Sequence, residues 1–378
     1  MGVAQVDPLL RGDGTLSAQF TRSGLNQFIL QSLDAATDAA KITARGQGGL
    51  TGAAKFDLTA NMPNAAVLGQ GLIGPIDATV ALSRDETENG DVAIRVNGPG
   101  TAVSLLGKIA PDLRLTGILN ATVAELASYQ RLIGQPVSGG FSTRIEGSIM
   151  PDLSAFDATV SAQTTNLGVG NQIADILLAG TGQLRAKASL QAGDLQVETL
   201  DVSTGNVTLS GNLGGQSGAG RGAFEARLRD VGVLTDQLSG AVTASGTASL
   251  DPNGTWGLNA QAEGPGGITL RADGQIGAGG QLNITSSGRA PLGLANAMID
   301  PRRLTGQAAF DLAINGPAAL QSVAGRIDLL DARLTAPTLA QGLQNIAGGI
   351  TLRNGSADIG ITGDVQSGGT VAIAGSVG

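Results

Sequence analysis

The sequence predicts an all-β fold, laid out as a thin, extended sheet with one apolar face, and three observations predict it. Apolar and polar residues alternate in run after run from Thr15 to Val377, the period of two that sends successive side chains to opposite faces of a strand. Asn-Gly dipeptides join several of these runs, and their tolerance of positive φ suits tight antiparallel turns. The composition is 42% hydrophobic but only 2% aromatic, with 59 glycines and 14% charged residues. Side chains of that size fill a thin layer rather than a thick globular core.

Taken in order, residues 1–49 read as an amino-terminal segment with one amphipathic helix. Leu25, Phe28, Ile29, Leu33 and Ala36 recur at helical spacing over Leu25–Ala40, and Ser23 is placed to cap it. Residues 50–378 read as the repetitive sheet. In Lys55–Ala60, Phe56, Leu58 and Ala60 oppose Lys55, Asp57 and Thr59. Asn89-Gly90 lies in the charged tip Arg84–Asp91 and joins Ile76–Leu82 to Val92–Asn97. Phe141–Ile149 and Leu184–Leu190 repeat the alternation; Asn253-Gly254 joins Val242–Leu250 to Trp256–Glu263. Phe310–Ile314 follows, and Asn354-Gly355 joins Ile350–Arg353 to Ala357–Thr362. Such runs amount to roughly 20 or more strands at the spacing of an all-β chain. Four short apolar segments with helical spacing interrupt them: Ala65–Leu72, Leu126–Ile133, Ile173–Leu178 and Leu292–Ile299. They read as one building plan reused, each covering the edge or mouth of the chain's own sheet.

The chemistry the chain lacks narrows its function. It has no histidine and no cysteine, which removes the usual zinc ligands, the common general base, the thiol nucleophile and any disulfide framework. None of the lysines, Lys41, Lys55, Lys108 and Lys187, has a Ser or Thr three residues before it, so a Ser/Lys dyad of that spacing is absent. Acids such as Asp77, Asp157, Glu225 and Asp311 fall on the polar phase of strands. The glycine-rich stretches Gly214–Gly222 and Gly98–Lys108 lack phosphate-loop spacing. These features argue against an enzyme, a metal or a cofactor. A net charge of −8 with 23 scattered Lys and Arg argues against nucleic acid. No run approaches the ~18 apolar residues of a membrane helix, and Met1–Leu10 carries no secretory signal. The chain reads as a piece of a longer protein.

The stretch from Leu292 to Gly378 resembles the carboxy-terminal region of the TamB family, the inner-membrane subunits of the translocation and assembly module within the AsmA-like group. The resembling residues are Leu304-Thr305-Gly306-Gln307, Phe310-Asp311-Leu312-Ala313-Ile314-Asn315-Gly316-Pro317 and Val323-Ala324-Gly325-Arg326-Ile327. Ala336-Pro337, Ile346-Ala347-Gly348-Gly349-Ile350 and Gly368-Gly369 to Gly375 continue the string. Gln135-Pro136-Val137-Ser138-Gly139-Gly140 and Leu238-Ser239-Gly240 echo its first part, so the resemblance runs from about Leu50 onward. Each motif is degenerate; their order is the specific feature.

The resemblance implies a sheet curled into a trough, or β-taco, with an apolar interior. It also implies a periplasmic location, partnership with an outer-membrane β-barrel subunit of the TamA type, and a role in phospholipid transport between membranes and in outer-membrane biogenesis. The family's inner-membrane anchor is missing from these residues, as is its terminal segment, which places barrel contacts in doubt here. On this reading the cargo would be phospholipid acyl chains, and Phe56, Leu58, Ile145, Leu184, Phe310, Leu312, Ile314, Ile327, Ile350 and Ile373 are the candidate groove lining. Two alternatives stand beside it: a scaffold that assembles or secretes outer-membrane β-barrel proteins by edge-strand templating, and a secreted β-helical adhesin or passenger domain.

Overall fold

A computed structural model describes residues 13–378 apart from 25–26, 50, 69–70, 217–218, 235–237, 278, 300, 337–341 and 354. Leu25, Leu50, Pro337 and Asn354, used in the sequence reading, therefore lie outside the described residues. The chain forms two compact units, 1–193 with 200–205, and 194–199 with 206–378.

The first unit is a meander of eleven strands: β1 (Gly14–Arg22), β2 (Gln27–Thr37), β3 (Lys41–Gly49), β4 (Ala54–Met62), β5 (Ile76–Arg84), β6 (Gly90–Gly98), β7 (Thr101–Ile109), β8 (Leu115–Val123), β9 (Ser138–Ile149), β10 (Phe156–Gly168) and β11 (Thr181–Gln191). Each is antiparallel to the next in sequence. β12 (Asp194–Ser203) is divided between the units. The second unit continues with β13 (Val207–Gln216), β14 (Ala219–Leu228), β15 (Val242–Leu250), β16 (Trp256–Gly264), β17 (Ile268–Ile276), β18 (Leu282–Pro291), β19 (Arg303–Gly316), β20 (Val323–Thr335), β21 (Leu343–Arg353), β22 (Ser356–Val365) and β23 (Thr370–Val377). These too pair antiparallel in sequence order. The all-β architecture expected from the alternation is observed, and the antiparallel pairing is incompatible with the β-helical passenger alternative, whose coils need parallel strands.

The amphipathic helix expected over Leu25–Ala40 is corrected to strand β2. Gln19 faces Ser32 and Phe20 faces Leu30, so Gln31 is an extra residue, a β-bulge. The bulge converts a step of two into a step of three, and Phe28, Leu30, Leu33 and Ala35 all oppose the Gly48–Ile42 phase of β3. The five-residue interval from Phe28 to Leu33 that imitates a helix is a strand interval with one insertion. β3 pairs with β4 from Lys41↔Asn61 to Gln47↔Lys55, so the described strands before Leu50 belong to the first unit rather than to a separate segment.

In each unit the long helical connections gather at one end of the strands. Because every strand reverses direction, successive connections fall at opposite ends of the strands. In the first unit one end carries tight turns such as 85–89, 110–114 and 150–155. The other carries the helical segments: a one-turn 3-10 helix at Ala65–Val67, a second at Leu126–Tyr129 running into α1 (Gln130–Ile133), and α2 (Gln172–Leu178). The second unit places turns at Val231–Val233 and Pro265–Gly267, and Leu292–Ala295 with α3 (Asn296–Ile299), at one end likewise. Helical turns fall within all four segments expected to be helical, although in Ala65–Leu72 the turn covers only Ala65–Val67 among the described residues. Side chains hold the starts of several helical turns. Glu125 Oε1 accepts from the backbone of Ala127 at 3.0 Å and of Gly139 at 3.1 Å. Asp230 Oδ1 accepts from Gly232 at 2.9 Å and Gly240 at 2.8 Å. One acidic side chain thus satisfies an orphan donor of the helical turn and ties it to the next strand. Those two amides also hold the Asp230 carboxyl below its ordinary pKa.

These segments make the small cores. Ala65 and Leu72 bury Met62, with Leu68, Ile76 and Tyr129 around them. Leu292 packs with Ala332 and Ile346, with Leu304, Ala308, Leu329 and Ile361 around it.

Candidate apolar binding face

Antiparallel partners directly opposite one another share a face, so the registers can be followed from strand to strand. In the first unit Ala18, Leu33, Ala44, Leu58, Val80, Ile94, Leu105, Leu119, Ile145, Val160 and Ala186 form one row through all eleven strands. No polar side chain interrupts it. At ~4.8 Å per strand the row is about 48 Å long. The adjacent position on the opposite face reads Thr59, Thr79, Arg95, Ser104, Asn120, Arg144, Ser161 and Arg185.

The second unit repeats the division independently. Leu209, Ala226, Ala244, Ala262, Leu270, Gly288, Phe310, Ile327, Ile350, Ile359 and Gly375 form its row. Behind it run Ser210, Glu225, Ser245, Gln261, Arg271, Ser287, Asp311, Arg326, Thr351, Asp358 and Ser376. On this polar face lies a cleft of about 380 Å³ lined by Asn259, Gln261, Arg271, Asp273, Thr285, Ser287 and Asp311. Within it Asn259 donates to Asp273 at 2.9 Å. Ion pairs such as Arg144–Glu146 at 3.1 Å and Arg326–Asp328 at 2.7 Å are half-exposed and add little stability.

All ten candidate lining residues fall on the apolar faces. Leu58 and Ile145 lie in the row of the first unit; Phe56 and Leu184 lie one pleat to either side of it. Phe310, Ile327 and Ile350 lie in the row of the second unit, with Leu312 and Ile314 one and two pleats away. Ile373 opposes Ile361, which shares its face with Ile359. Eight of the ten are half-buried by their neighbours. Phe56 at 41% and Ile373 at 52% exposure are open to solvent. Val80, Ile94, Leu105, Leu119 and Val160 belong to the same row and escaped the sequence reading. Counting outward from Asn89-Gly90 along the alternation would have found the first two.

Close cross-strand fits set the texture of the faces. A Cβ on Gly46 would meet Phe56 Cδ1, one on Gly246 would lie 2.8 Å from Phe224 Cζ, and one on Gly288 would lie 2.8 Å from Phe310 Cζ. Each ring takes the space left by a glycine of a neighbouring strand, which lets a large residue occupy a thin layer.

The arrangement offers long apolar surfaces. Among the described residues no group of three or more His, Cys, Asp or Glu could hold a metal ion, and no helix is long and apolar enough to cross a membrane. No family model, curated protein or solved structure matches the chain.

Proposed function

We propose that the apolar faces hold phospholipid acyl chains, and that the protein is a periplasmic, bridge-like carrier of phospholipid between inner and outer membranes, as resemblance to the TamB family implies. The observation that carries this reading is the uninterrupted apolar row in each unit, whose large side chains are only half-buried. Apolar surface of that extent calls for an apolar occupant. A lipid chain of ~16 carbons would otherwise face a cost above 10 kcal/mol in water, at about 0.8 kcal/mol per CH₂. Anchoring in the inner membrane and docking on a β-barrel of the TamA type are part of the same proposal.

A photoreactive residue at Leu58 or Phe310 tests it, since both side chains point onto the apolar face and away from strand edges. Lipid captured there supports a conduit. The edge-template alternative draws on one observation: β23, TVAIAGSV, carries no charge and no proline and bonds only to β22 among the described pairings, so it lacks the usual protection of an edge. Capture of client β-barrel protein at Thr370–Val377, with no lipid at Leu58 or Phe310, would favour the template.

A further inference from the structure

We infer that lipid headgroups lie along the tight-turn edge of the first unit, and that Leu113 and Leu153 contact the lipid there. The inference rests on the acyl-chain reading above and adds an orientation to it.

The two ends of the strands differ. At the helical end the apolar face is covered: Met62 is 8%, Ala65 0% and Leu72 1% exposed. Tyr129, from the next helical connection, hydrogen-bonds Thr101 on the same face. At the tight-turn end nothing comparable covers it, and Phe56, Leu82 and Ile149 remain 41%, 37% and 36% exposed. A chain lying on this face with its headgroup at the helical end would have to displace packed residues. With its headgroup at the turn end it would not.

The turns themselves carry a second, independent signal. One five-residue hairpin loop recurs, in which the first residue bonds the fifth and the fourth donates back to the first. It is seen at 85–89, 110–114, 150–155 with one residue added, 251–255, 277–281 and 365–369. Its fourth position has positive φ and is glycine at Gly254 and Gly280. At the same position the first unit has Glu88 at φ 65°, Leu113 at φ 68° and Leu153 at φ 60°. These leucines follow Pro111-Asp112 and Pro151-Asp152. They are 62% and 63% exposed, so packing does not repay the left-handed backbone. With β8 and β9 between them, the two turns are about 10 Å apart on one edge. Asp112 and Asp152 each accept from the residue after the leucine, and both carboxylates stay exposed beside it. Each of these two turns thus presents an exposed leucine next to an exposed carboxylate. A strained, exposed leucine repeated on the uncovered side of an apolar face is suited to the region where headgroup meets acyl chain.

The test exploits equally exposed apolar residues on the opposite edge, Ile73 at 82% and Ile173 at 60%. The full chain would be incubated with phosphatidylcholine vesicles doped with phosphatidylethanolamine carrying a photoreactive headgroup, or, separately, a photoreactive acyl terminus. The headgroup reagent is expected to label residues 110–114 and 150–155 several-fold more than 63–75 and 169–180, while the acyl reagent labels the strands around Ile145. Equal or reversed headgroup labelling, with acyl labelling intact, overturns the orientation and leaves the conduit standing. No acyl labelling anywhere on the face removes both. Leu113→Gly combined with Leu153→Gly, which should fold, is expected to slow lipid uptake several-fold; unchanged uptake counts against the contact.

Discussion

Placing a carboxylate in the apolar row gives the sharpest perturbation of the face. Ile145 opposes Leu119 on one side and Val160 on the other, with no polar partner in its row. Ile145→Asp loses about half the transfer free energy of a buried isoleucine, ~1 kcal/mol. It also leaves a carboxylate among apolar neighbours, and a desolvation shift of one to two pKa units would add roughly 1.5–3 kcal/mol. A passing acyl chain would meet that cost again, because it would strip the remaining water from the charge. An added barrier of about 3 kcal/mol slows passage roughly 100-fold. The control is Ser161→Asp, which adds the same charge one residue from Val160 but on the polar face, opposite Arg144. Transfer of fluorescent phospholipid between vesicles, with far-UV circular dichroism as the check on folding, reads the difference. Ile145→Asp should fold and fail; Ser161→Asp should transfer normally. Normal transfer by a folded Ile145→Asp protein, or equal loss in both, would refute the reasoning.

Three further outcomes are expected. Gly246→Val forces a Cβ to within 2.2 Å of the Asn259 carbonyl oxygen and 2.8 Å of Phe224 Cζ, and should lower stability to urea by about 1–3 kcal/mol as overpacking does, whereas Gly375→Val, with open space around it, should cost far less. Leu113→Gly and Leu153→Gly relieve a left-handed backbone and should each raise stability by up to about 1 kcal/mol in thermal unfolding; a fall would show that the leucines pack. The Asp230 carboxyl titrates lower folded than unfolded because of the Gly232 and Gly240 amides. Its contribution is therefore present above its unfolded pKa and is lost as pH falls through the folded one. Asp230→Ala should flatten the acid limb of stability below about pH 4, and an unchanged acid limb would show that the two amide bonds do not form.

Most of the fold was legible because a half-buried antiparallel sheet writes its faces directly into the sequence as a period of two. The phases of Lys55–Ala60, Phe141–Ile149 and Phe310–Ile314, the hairpin at Asn253-Gly254 and the places of the helical turns all follow from local chemistry. β2 was misread because the bulge at Gln31 sits between two apolar pairs, and only the pairing partner distinguishes an inserted residue from a helical step. The division near residue 193 leaves no local signature, since β12 is as regular as its neighbours. The candidate face was legible in membership but not in texture. Which glycines lie beneath Phe56, Phe224 and Phe310 depends on register, a long-range property. The repeated Pro-Asp-Leu of 111–113 and 151–153 was visible as letters, yet only the backbone gives the leucines their left-handed conformation and exposure.

Native mass spectrometry of the protein purified without detergent, from cells containing phospholipid, tests the central claim most directly. Bound masses matching phospholipids are expected on the unaltered chain and should be lost from the folded Ile145→Asp and Ile314→Asp proteins, while Ser161→Asp retains them. A chain that carries no phospholipid, or carries it undiminished when both inward positions are charged, would contradict the account.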